Sequence, residues 1–283
     1  MQTRRSFLAT LGFAAVGVAS RDAVASELLL ARKKIKRVGL QLYTVRDMMK
    51  ADLPGTLAKV AAIGYREVEF AGYFGRTPAQ IRELLHRNHL DSPSTHLDFD
   101  SIEKGTWQKS LADAKKIGHK WATVGWIPEE RRKTVDDWKR HAATFNRAAA
   151  QAKAADLRFA YHNHDFELRP VGGVRPFDIL LNETDPSLVD FEIDLYWVVF
   201  AGGNPIDFLN RYPKRFKLLH VKDSGGLPAN KMVDVGKGTI DFRSIFARAE
   251  RADVEHYFVE HDNPADPMAT LRNSYSYLHS LTF

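Results

Sequence analysis

The segment RFAYHNHDFE, residues 158–167, is an apolar run that ends in ionisable side chains, and three later segments repeat this pattern. They read VDFEIDLYW (189–197), FKLLHVKD (216–223) and HYFVEHD (256–262). Each run has the length and the aromatic or branched residues of a buried strand. The residues that these runs place at the strand ends are His162, Asp194, His220 and Glu260. We therefore expect these side chains to meet at one edge of a parallel sheet.

Strand-like and helix-like segments alternate along the rest of the chain, as expected of repeated βα units. The predicted strands are residues 38–43, 66–70, 92–97, 121–126, 158–164, 189–196, 217–222 and 257–260. The predicted helices are residues 53–63, 77–88, 106–117, 135–155, 205–212, 242–252 and 267–281. This order predicts an α/β fold, a single (β/α)8 TIM barrel over residues 37–283, with its active site at the C-terminal ends of the strands.

The N-terminal residues have the features of an export signal. Thr3-Arg4-Arg5-Ser6-Phe7-Leu8 matches the twin-arginine pattern, and Ala23-Val24-Ala25 is a small-x-small cleavage site. The alternatives are an ordinary secretory signal and a disordered basic start. We expect the twin-arginine export machinery to deliver the protein to the periplasm, with residues 1–25 removed and residues 26–36 forming a basic linker. The apolar run of the signal is about a dozen residues, too short to span a bilayer, so we expect no stable membrane insertion after cleavage.

Composition excludes several classes of site. The 283 residues include no cysteine, which rules out disulfides, thiolate nucleophiles and cysteine-ligated metals. The formal charge is +6, and the predicted signal contributes three arginines and one aspartate, which leaves a diffuse excess of about +4. Because no basic run is interleaved with aromatic residues, we expect no nucleic-acid partner.

The alternation of side chains along a strand predicts which residues point the same way. The shared faces carry His162 and His164, then Glu192, Asp194 and Tyr196, then His220 and Lys222, and finally Glu260 and Asp262. A lone histidine or aspartate at a strand end is often only hydrogen-bonded, but a consistent series indicates a site for one divalent ion. The predicted ligands are His162, Asp194, His220 and Glu260, with His164 as the alternative ligand on the fifth strand. We favour Mn2+ over Mg2+, Co2+ and Zn2+.

Seven motifs resemble the xylose-isomerase-like superfamily of sugar isomerases and epimerases. They are GLQLYTVR (39–46), GYREVE (64–69), YHNHDFE (161–167), DLYWV (194–198), LHVKD (219–223), VGKGTID (235–241) and VEHD (259–262). The resemblance covers the barrel but not the export signal. It implies a metal-dependent enzyme that acts on a small-molecule carbohydrate.

The fifth strand departs from the pattern of the ketose epimerases in this superfamily, which hold their ion with Glu, Asp, His and Glu. This chain matches the last three at Asp194, His220 and Glu260, but it has His-Asn-His where the first glutamate is expected. The departure weakens a mechanism in which two carboxylates exchange one proton. The run resembles instead the branch with inosose dehydratase-like proteins and lyases or hydrolases of 3-keto-glycosides. Both chemistries begin with proton abstraction beside a carbonyl.

The candidate acids and bases are His164, Lys222 and Glu167, in that order, followed by Glu69 and His96. The alternative for Glu69 is a hydrogen bond to a neighbouring strand. The alternative for Lys222 is an ion pair with Glu192 or Asp223. Beside a divalent ion, the pKa of Lys222 is expected to be lowered, because a like charge disfavours the ammonium.

The candidate substrate-binding residues are His96, Trp126, Tyr196 and Trp197. An aromatic face stacks well on the apolar face of a sugar ring, although aromatic residues at strand ends often belong to the core. Gly236-Lys237-Gly238 lacks the spacing of a phosphate-binding loop. We expect a tight turn there, since glycine tolerates positive φ.

The function that these features favour is a metal-dependent enzyme of the sugar isomerase and epimerase family. It would abstract a proton beside a carbonyl of a keto-sugar or keto-glycoside, with a lyase or hydrolase outcome favoured over a ketose 3-epimerase or isomerase. An apurinic endonuclease-like phosphodiesterase would need about three metals and a basic groove, which this sequence does not supply. A non-catalytic periplasmic sugar-binding protein has little need of a four-ligand metal site.

The export signal generates the first prediction. Replacing Arg4 and Arg5 with lysine should hold the precursor in the cytoplasm, because the paired arginines are the recognised element of the pattern. Fractionation and immunoblotting would detect the block, and the wild-type protein should begin near Ser26 in the periplasm. Normal export of the double variant would contradict the twin-arginine assignment.

Overall fold

Eight segments rich in apolar and branched residues pair side by side in the computed structural model, which describes residues 33–283. The barrel strands are Gly39–Gln41, Glu67–Phe70, Asp91–Leu97, Trp121–Val124, Arg158–His162, Val189–Asp194, Phe216–Val221 and His256–Val259. Each strand pairs in parallel with its neighbours in sequence, and the first pairs with the eighth, so the sheet closes on itself. The predicted (β/α)8 barrel is confirmed.

Helices cover the outside of the barrel. The α-helices are Arg46–Ala51, Leu53–Ile63, Pro78–Arg87, Asp100–Glu103, Trp107–Ile117, Val135–Ala154, Pro176–Glu183, Leu195–Phe200, Pro205–Arg211, Phe242–Arg251 and Pro267–Ser280. Short 3-10 helices occupy Leu42–Val45 and Glu129–Arg131, and Asp223–Ser224 pairs with Met232–Val233 in a small antiparallel ladder. Thr77 and Thr134 each begin a helix with a capping box, in which a side chain satisfies a free backbone N–H group.

The inside of the barrel is filled below the site. Trp121, Ala160, Leu218 and Phe258 are fully buried and form a small apolar cluster of their own. Side chains two residues further along a strand point the same way. The cluster therefore confirms that His162, His220 and Glu260 point into the barrel.

The strand register brings the predicted ligands to one level. His162 lies opposite Glu192 on the sixth strand, and Asp194 lies opposite His220 on the seventh. His220 in turn lies opposite Phe258 on the eighth strand, two residues before Glu260. Four chain segments far apart in sequence thus present their polar side chains at the same end of the barrel.

The sixth strand is shorter than predicted. It ends at Asp194 rather than at residue 196, because the Asp194 carboxylate accepts a hydrogen bond of 2.9 Å from Trp197 N and begins the helix Leu195–Phe200. Tyr196 therefore lies on a helix, and its predicted position on the strand face beside Asp194 is wrong. The fifth strand likewise ends at His162 rather than at residue 164.

The predicted signal peptide, residues 1–25, lies outside the described residues. So does most of the predicted linker, although Lys33 pairs through its backbone N–H and C=O with Phe283. No helix within residues 33–283 has the length and apolar character needed to cross a membrane.

His119 makes the fold sensitive to acid. It precedes the fourth strand, is 5% exposed, and has Nδ1 2.7 Å from Ser92 O. Burial lowers the pKa of its imidazole to about 4. The unfolded chain, with a histidine pKa of about 6.5, binds the extra proton first. The stability that the neutral ring contributes is therefore present above pH 6.5 and is lost as the pH falls toward 4.

We predict that His119→Gln reduces this acid sensitivity. Between pH 7.5 and pH 5 the variant should lose about 2 kcal/mol less unfolding free energy than the wild type, because it has no imidazole to protonate on unfolding. Urea denaturation at both pH values measures the difference. His86→Gln, on the surface of the helix Pro78–Arg87, is the control and should behave as the wild type. If the His119→Gln variant lost as much unfolding free energy between pH 7.5 and pH 5 as the wild type, the assignment would be contradicted.

Candidate functional site

A cavity of about 1010 Å³ opens at the C-terminal end of the barrel. Its polar lining includes His96, His162, His164, Lys222, Glu260 and Asp262. The loops after the fourth and fifth strands, and the helix after the sixth, add Trp126, Arg132, Phe166, Arg169 and Trp197. This is the end of the barrel at which the sequence predicted the chemistry.

The four predicted ligands come together, and we call them the outer cluster: His162, Asp194, His220 and Glu260. His220 Nδ1 lies 2.7 Å from Glu260 Oε2 and 4.0 Å from Asp194 Oδ2. His162 Nε2 lies 3.9 Å from Asp194 Oδ2. Asp194, His220 and Glu260 have the spacing that one metal ion needs. His162 and Glu260 line the cavity, whereas Asp194 and His220 are fully buried behind them.

Three atoms of the outer cluster are buried without a hydrogen bond within residues 33–283. His162 Nδ1 points toward Glu192, whereas Asp194 Oδ2 and His220 Nδ1 face each other. The approach of Glu260 to His220 Nδ1 lacks the alignment of a hydrogen bond. Buried polar atoms of native proteins are normally satisfied. Asp194 Oδ2 and His220 Nδ1 therefore leave coordination capacity for a cation.

A second layer of charge lies behind the outer cluster, and we call it the inner cluster: Glu69, His96 and Glu192. His96 Nε2 lies 2.7 Å from Glu192 Oε2 and 3.3 Å from Glu69 Oε2. Both carboxylates are fully buried. Burial disfavours the His96 imidazolium, but the charges of Glu69 and Glu192 outweigh it and raise its pKa to about 10.

His220 joins the two clusters. Its Nε2 lies 2.7 Å from Glu69 Oε2 and 3.0 Å from Glu192 Oε2, on the side of the ring opposite Glu260. Burial opposes protonation, but the carboxylates of Glu192 and Glu260 raise its pKa well above the usual range. The ring is thus held between carboxylates on both edges.

Lys222 has different partners from those predicted. Its Nζ lies 3.1 Å from Asp194 Oδ2 and 2.8 Å from both Glu260 Oε2 and Asp262 Oδ1, so the alternative of an ion pair with Glu192 or Asp223 does not hold. Burial disfavours the ammonium, but the three carboxylates outweigh it and raise the pKa of Lys222 well above its usual value. The expectation of a lowered pKa considered only a dication and omitted these carboxylates.

Asp223 organises the loop that follows the seventh strand. Its carboxylate accepts hydrogen bonds from the backbone N–H groups of Gly236, Gly238 and Ile240 at 2.9, 3.0 and 3.2 Å. Gly236 has φ +91°, and a Cβ there would lie 2.3 Å from the Tyr277 ring. The predicted tight turn is confirmed.

His164 is the candidate base that lies in the cavity. Its ring stacks on Phe166 at 5.4 Å and meets Trp126 edge to face at 5.1 Å. Burial first, and the charge of Lys222 second, hold the pKa of His164 well below its usual value. This direction favours the neutral ring, which carries the lone pair that a base needs.

Two candidate acid–base residues do not reach the cavity. Glu167 is fully buried, where its carboxylate accepts hydrogen bonds from the Tyr161 hydroxyl and, at 2.8 Å, from His164 N. Burial raises the pKa of Glu167 to about 8. Glu69 is also fully buried and accepts a hydrogen bond of 2.7 Å from Gln41 on the neighbouring strand. Both residues support other side chains rather than contact a substrate in the cavity.

The candidate substrate-binding residues differ in whether they line the cavity. Trp126 is 50% exposed and lines the cavity, as do Trp197 and the imidazole of His96. Tyr196 is 4% exposed, lies outside the lining and donates its hydroxyl proton to Asn230 O at 2.9 Å. Tyr196 therefore does not line the cavity with the other aromatic candidates, because it lies on the helix that begins at Asp194.

Sequence reasoning missed residues that the fold adds to the site. Glu192 contacts His162 and His220 on the two neighbouring strands and His96 across the barrel. Only its position two residues before Asp194 could have indicated this. Asn163 Oδ1 accepts a hydrogen bond of 3.1 Å from Asp194 N and so fixes the end of the sixth strand. The guanidinium of Arg132 lies 3.3 Å from the Phe166 ring centre and 5.1 Å from that of Trp126. No local pattern marks Arg132.

Comparison with known proteins agrees with this architecture. The sequence model of a family described as "Xylose isomerase-like TIM barrel" matches residues 57–280. An inosose dehydratase from Geobacillus kaustophilus is 25% identical over 257 residues, which cover 74% of this chain and 82% of that protein. Several further inosose dehydratases match over less than half of their own length.

Two solved structures illustrate the range of structural similarity. A sugar phosphate isomerase/epimerase from Parabacteroides distasonis has a TM-score of 0.77 and 27% identity, and the match covers 87% of this chain and 99% of that one. A probable 3-DHS dehydratase from Bacillus anthracis has a TM-score of 0.67, with 86% of this chain and 98% of that chain covered. At 12% identity the second likeness shows the fold alone.

Proposed function

Because the chain belongs to the xylose isomerase-like TIM-barrel family, we propose that it abstracts a proton beside a carbonyl of a keto-sugar or keto-glycoside, with one divalent ion as cofactor. Its relatives and its fold support an enzyme of the sugar isomerase, epimerase or dehydratase type. The observation that carries the proposal is the juxtaposition, at one cavity, of the His164 imidazole, the buried Lys222 side chain and a metal-capable cluster.

The outer cluster fits a divalent ion. Nitrogen and carboxylate oxygen donors suit Mn2+, Zn2+ and related ions, and two of the donor atoms are buried without a partner within the described part of the chain. Lys222 already contacts Asp194 and Glu260, so an ion held by His162, Asp194, His220 and Glu260 would compete with that ammonium for carboxylate charge. When bound, the ion supplies positive charge beside the carbonyl oxygen, where negative charge develops as the proton leaves.

His164 and Lys222 have different roles in the proposed reaction. The neutral ring of His164 faces the cavity and accepts the proton from the carbon. Lys222, held as an ammonium by three carboxylates, donates hydrogen bonds and stabilises negative charge on oxygen. Glu167 positions His164 through the backbone N–H group of that residue.

The cavity favours a glycoside over a free ketose. Its volume of about 1010 Å³ is at the upper end of the roughly 300–1,000 Å³ typical of ligand pockets. Trp126, Phe166 and Trp197 offer aromatic surface beyond the polar residues, which suits a second ring. The fifth strand also supplies imidazoles, whereas a two-carboxylate proton exchange would need a carboxylate there.

A 3-keto-glycoside can react by elimination at such a site. The carbon between the ketone and the glycosidic carbon loses its proton to His164. The electron pair left behind forms a double bond to the glycosidic carbon as the bond from that carbon to the aglycone oxygen breaks. The aglycone oxygen takes up a proton from the Lys222 ammonium and leaves as an alcohol, and Lys222 regains a proton from water. Addition of water to the double bond would complete a hydrolysis.

Metal retention is predicted to depend on Asp194. Asp194→Asn should abolish retained Mn2+, because it removes a charged ligand of the outer cluster. Elemental analysis after dialysis measures the ion, and circular dichroism checks the fold. The control is Asp190→Asn on the same strand, which removes a buried carboxylate that contacts Trp121 and Arg158 at the other end of the barrel. Equal Mn2+ in the wild type and the Asp194→Asn variant would contradict the assignment.

Catalysis is predicted to depend on Lys222. With Mn2+ and a 3-keto-glycoside of a chromogenic alcohol, the wild type should release the aglycone and exchange the α-hydrogen with D2O. Lys222→Met should lower turnover by about 10²–10⁴-fold, the usual contribution of a proton-transferring group, while the ion is retained. Absorbance measures release, and mass spectrometry measures exchange.

Lys217→Met is the matched control. Lys217 is a buried lysine on the same strand that pairs with Asp253 outside the cavity. It should keep the turnover of the wild type. Interconversion of free ketoses without aglycone release would identify an epimerase. Sugar binding without exchange of any hydrogen would identify a binding protein.

A further inference from the structure

Each imidazole of the outer cluster has one ring nitrogen on that cluster and the other on the inner cluster. His220 presents Nδ1 to Glu260 and Asp194, and its Nε2 lies 2.7 Å from Glu69 Oε2 and 3.0 Å from Glu192 Oε2. In His162 the two nitrogens exchange places: Nε2 faces the outer cluster and Nδ1 faces the inner cluster. Its Nε2 lies 3.9 Å from Asp194 Oδ2, and its Nδ1 lies 3.3 Å from Glu192 Oε2.

Glu192 is the carboxylate common to these contacts. Its Oε2 also lies 2.7 Å from His96 Nε2, so it reaches three imidazoles. Glu192 is fully buried and does not line the cavity, which excludes direct contact with a substrate there. His162 Nδ1 has no hydrogen-bond partner within residues 33–283, and the carboxylate that lies beside it is Glu192, with Oε2 at 3.3 Å.

The position of the ring proton decides whether an imidazole can bind a metal. A neutral imidazole has one N–H donor and one lone pair, and a hydrogen bond from the N–H group fixes which nitrogen is which. Carboxylates behind metal-binding histidines commonly make this bond and raise the basicity of the ligand nitrogen. The inner cluster occupies that place behind His162 and His220.

We propose that Glu192 is a positioning residue that holds the proton of His162 on Nδ1 and, together with Glu69, a proton of His220 on Nε2, so that His162 Nε2 and His220 Nδ1 are the nitrogens that face the outer cluster. Glu69 makes the shorter contact with His220 Nε2, a hydrogen bond of 2.7 Å. His96 lies within 3.3 Å of both carboxylates and offsets their repulsion. This inference rests on the proposed metal site, because it concerns which nitrogens of His162 and His220 bind the ion.

An ion could instead lie between the two clusters. His96, His162, Glu192 and His220 present atoms within 4.8 Å of one another, a spacing that a metal also accepts. However, Glu192 Oε2 approaches two of these nitrogens at 2.7 and 3.0 Å. Such distances are typical of hydrogen bonds with charged partners. We therefore assign the inner cluster to proton placement, and the test below separates the two possibilities.

The test compares Glu192→Gln with the wild type. Zn2+ affinity, measured by competition with a fluorescent chelator, should fall about 10–100-fold, the usual effect of losing a partner behind a metal-binding histidine. The amide of glutamine can donate or accept, so it no longer fixes the ring proton. Glu67→Gln is the matched control, since Glu67 contacts His256 Nδ1 at 2.8 Å in another buried pair of the same barrel. Its Zn2+ affinity should equal that of the wild type.

Nitrogen-15 NMR of histidine provides a readout that a merely structural residue would not change. In the ion-free wild type, His162 should carry its proton on Nδ1. With Zn2+ bound, His162 Nε2 and His220 Nδ1 should show metal coordination. In Glu192→Gln, the proton of His162 should be distributed over both nitrogens, whereas Glu67→Gln should retain the wild-type spectrum.

The outcomes are distinguishable. If the wild type had no Zn2+ affinity, the proposed metal site would be refuted. The inference about Glu192 would still be tested by which ring nitrogen of His162 carries the proton. Unchanged affinity and an unchanged tautomer in Glu192→Gln would overturn the inference and leave the metal site intact. Two ions per wild-type chain, with one lost in Glu192→Gln, would show that the inner cluster binds a metal. Should the variant fail to fold, a proton on His162 Nε2 in the wild type would overturn the proposal.

Discussion

The site depends on the alternation of side chains along the sixth strand. Asp190, Glu192 and Asp194 all point into the barrel, at three successive levels. Asp190 is held by Trp121 and Arg158 at the bottom, at 2.9 and 2.7 Å. Glu192 meets the imidazoles in the middle, and Asp194 meets Lys222 at the mouth. Because the strand is parallel to its neighbours, each level meets a matching set of partners.

These buried carboxylates require positive charge close by. An unpaired ion in the interior costs several kcal/mol, and removal of one partner leaves the other uncompensated. His96, His220 and Lys222 supply the compensation within hydrogen-bond distance of Glu69, Glu192, Asp194, Glu260 and Asp262. The charge network therefore couples stability to function, which is why neutral, nearly isosteric substitutions are the informative probes.

Much of the site could be predicted from the sequence because period-two alternation is local. It placed His162, His220 and Glu260 on inward faces, and the structure confirms these positions. It failed at Tyr196, because Asp194 ends the strand and caps a helix in a single step. It could not find the contacts of Glu192 or the carboxylates around Lys222, since these depend on the register between neighbouring strands and, for His96, on which strands face each other across the barrel. The export signal lies outside the described residues and stays a prediction.

The central claim is that the outer cluster binds the ion and the inner cluster orders its ligands. Anomalous diffraction from crystals soaked in Mn2+ tests this claim most directly. We predict one peak within coordination distance of Asp194, His220 and Glu260, with His162 as the fourth ligand. A peak enclosed by His96, Glu192 and His220, or no peak at either cluster, would contradict it.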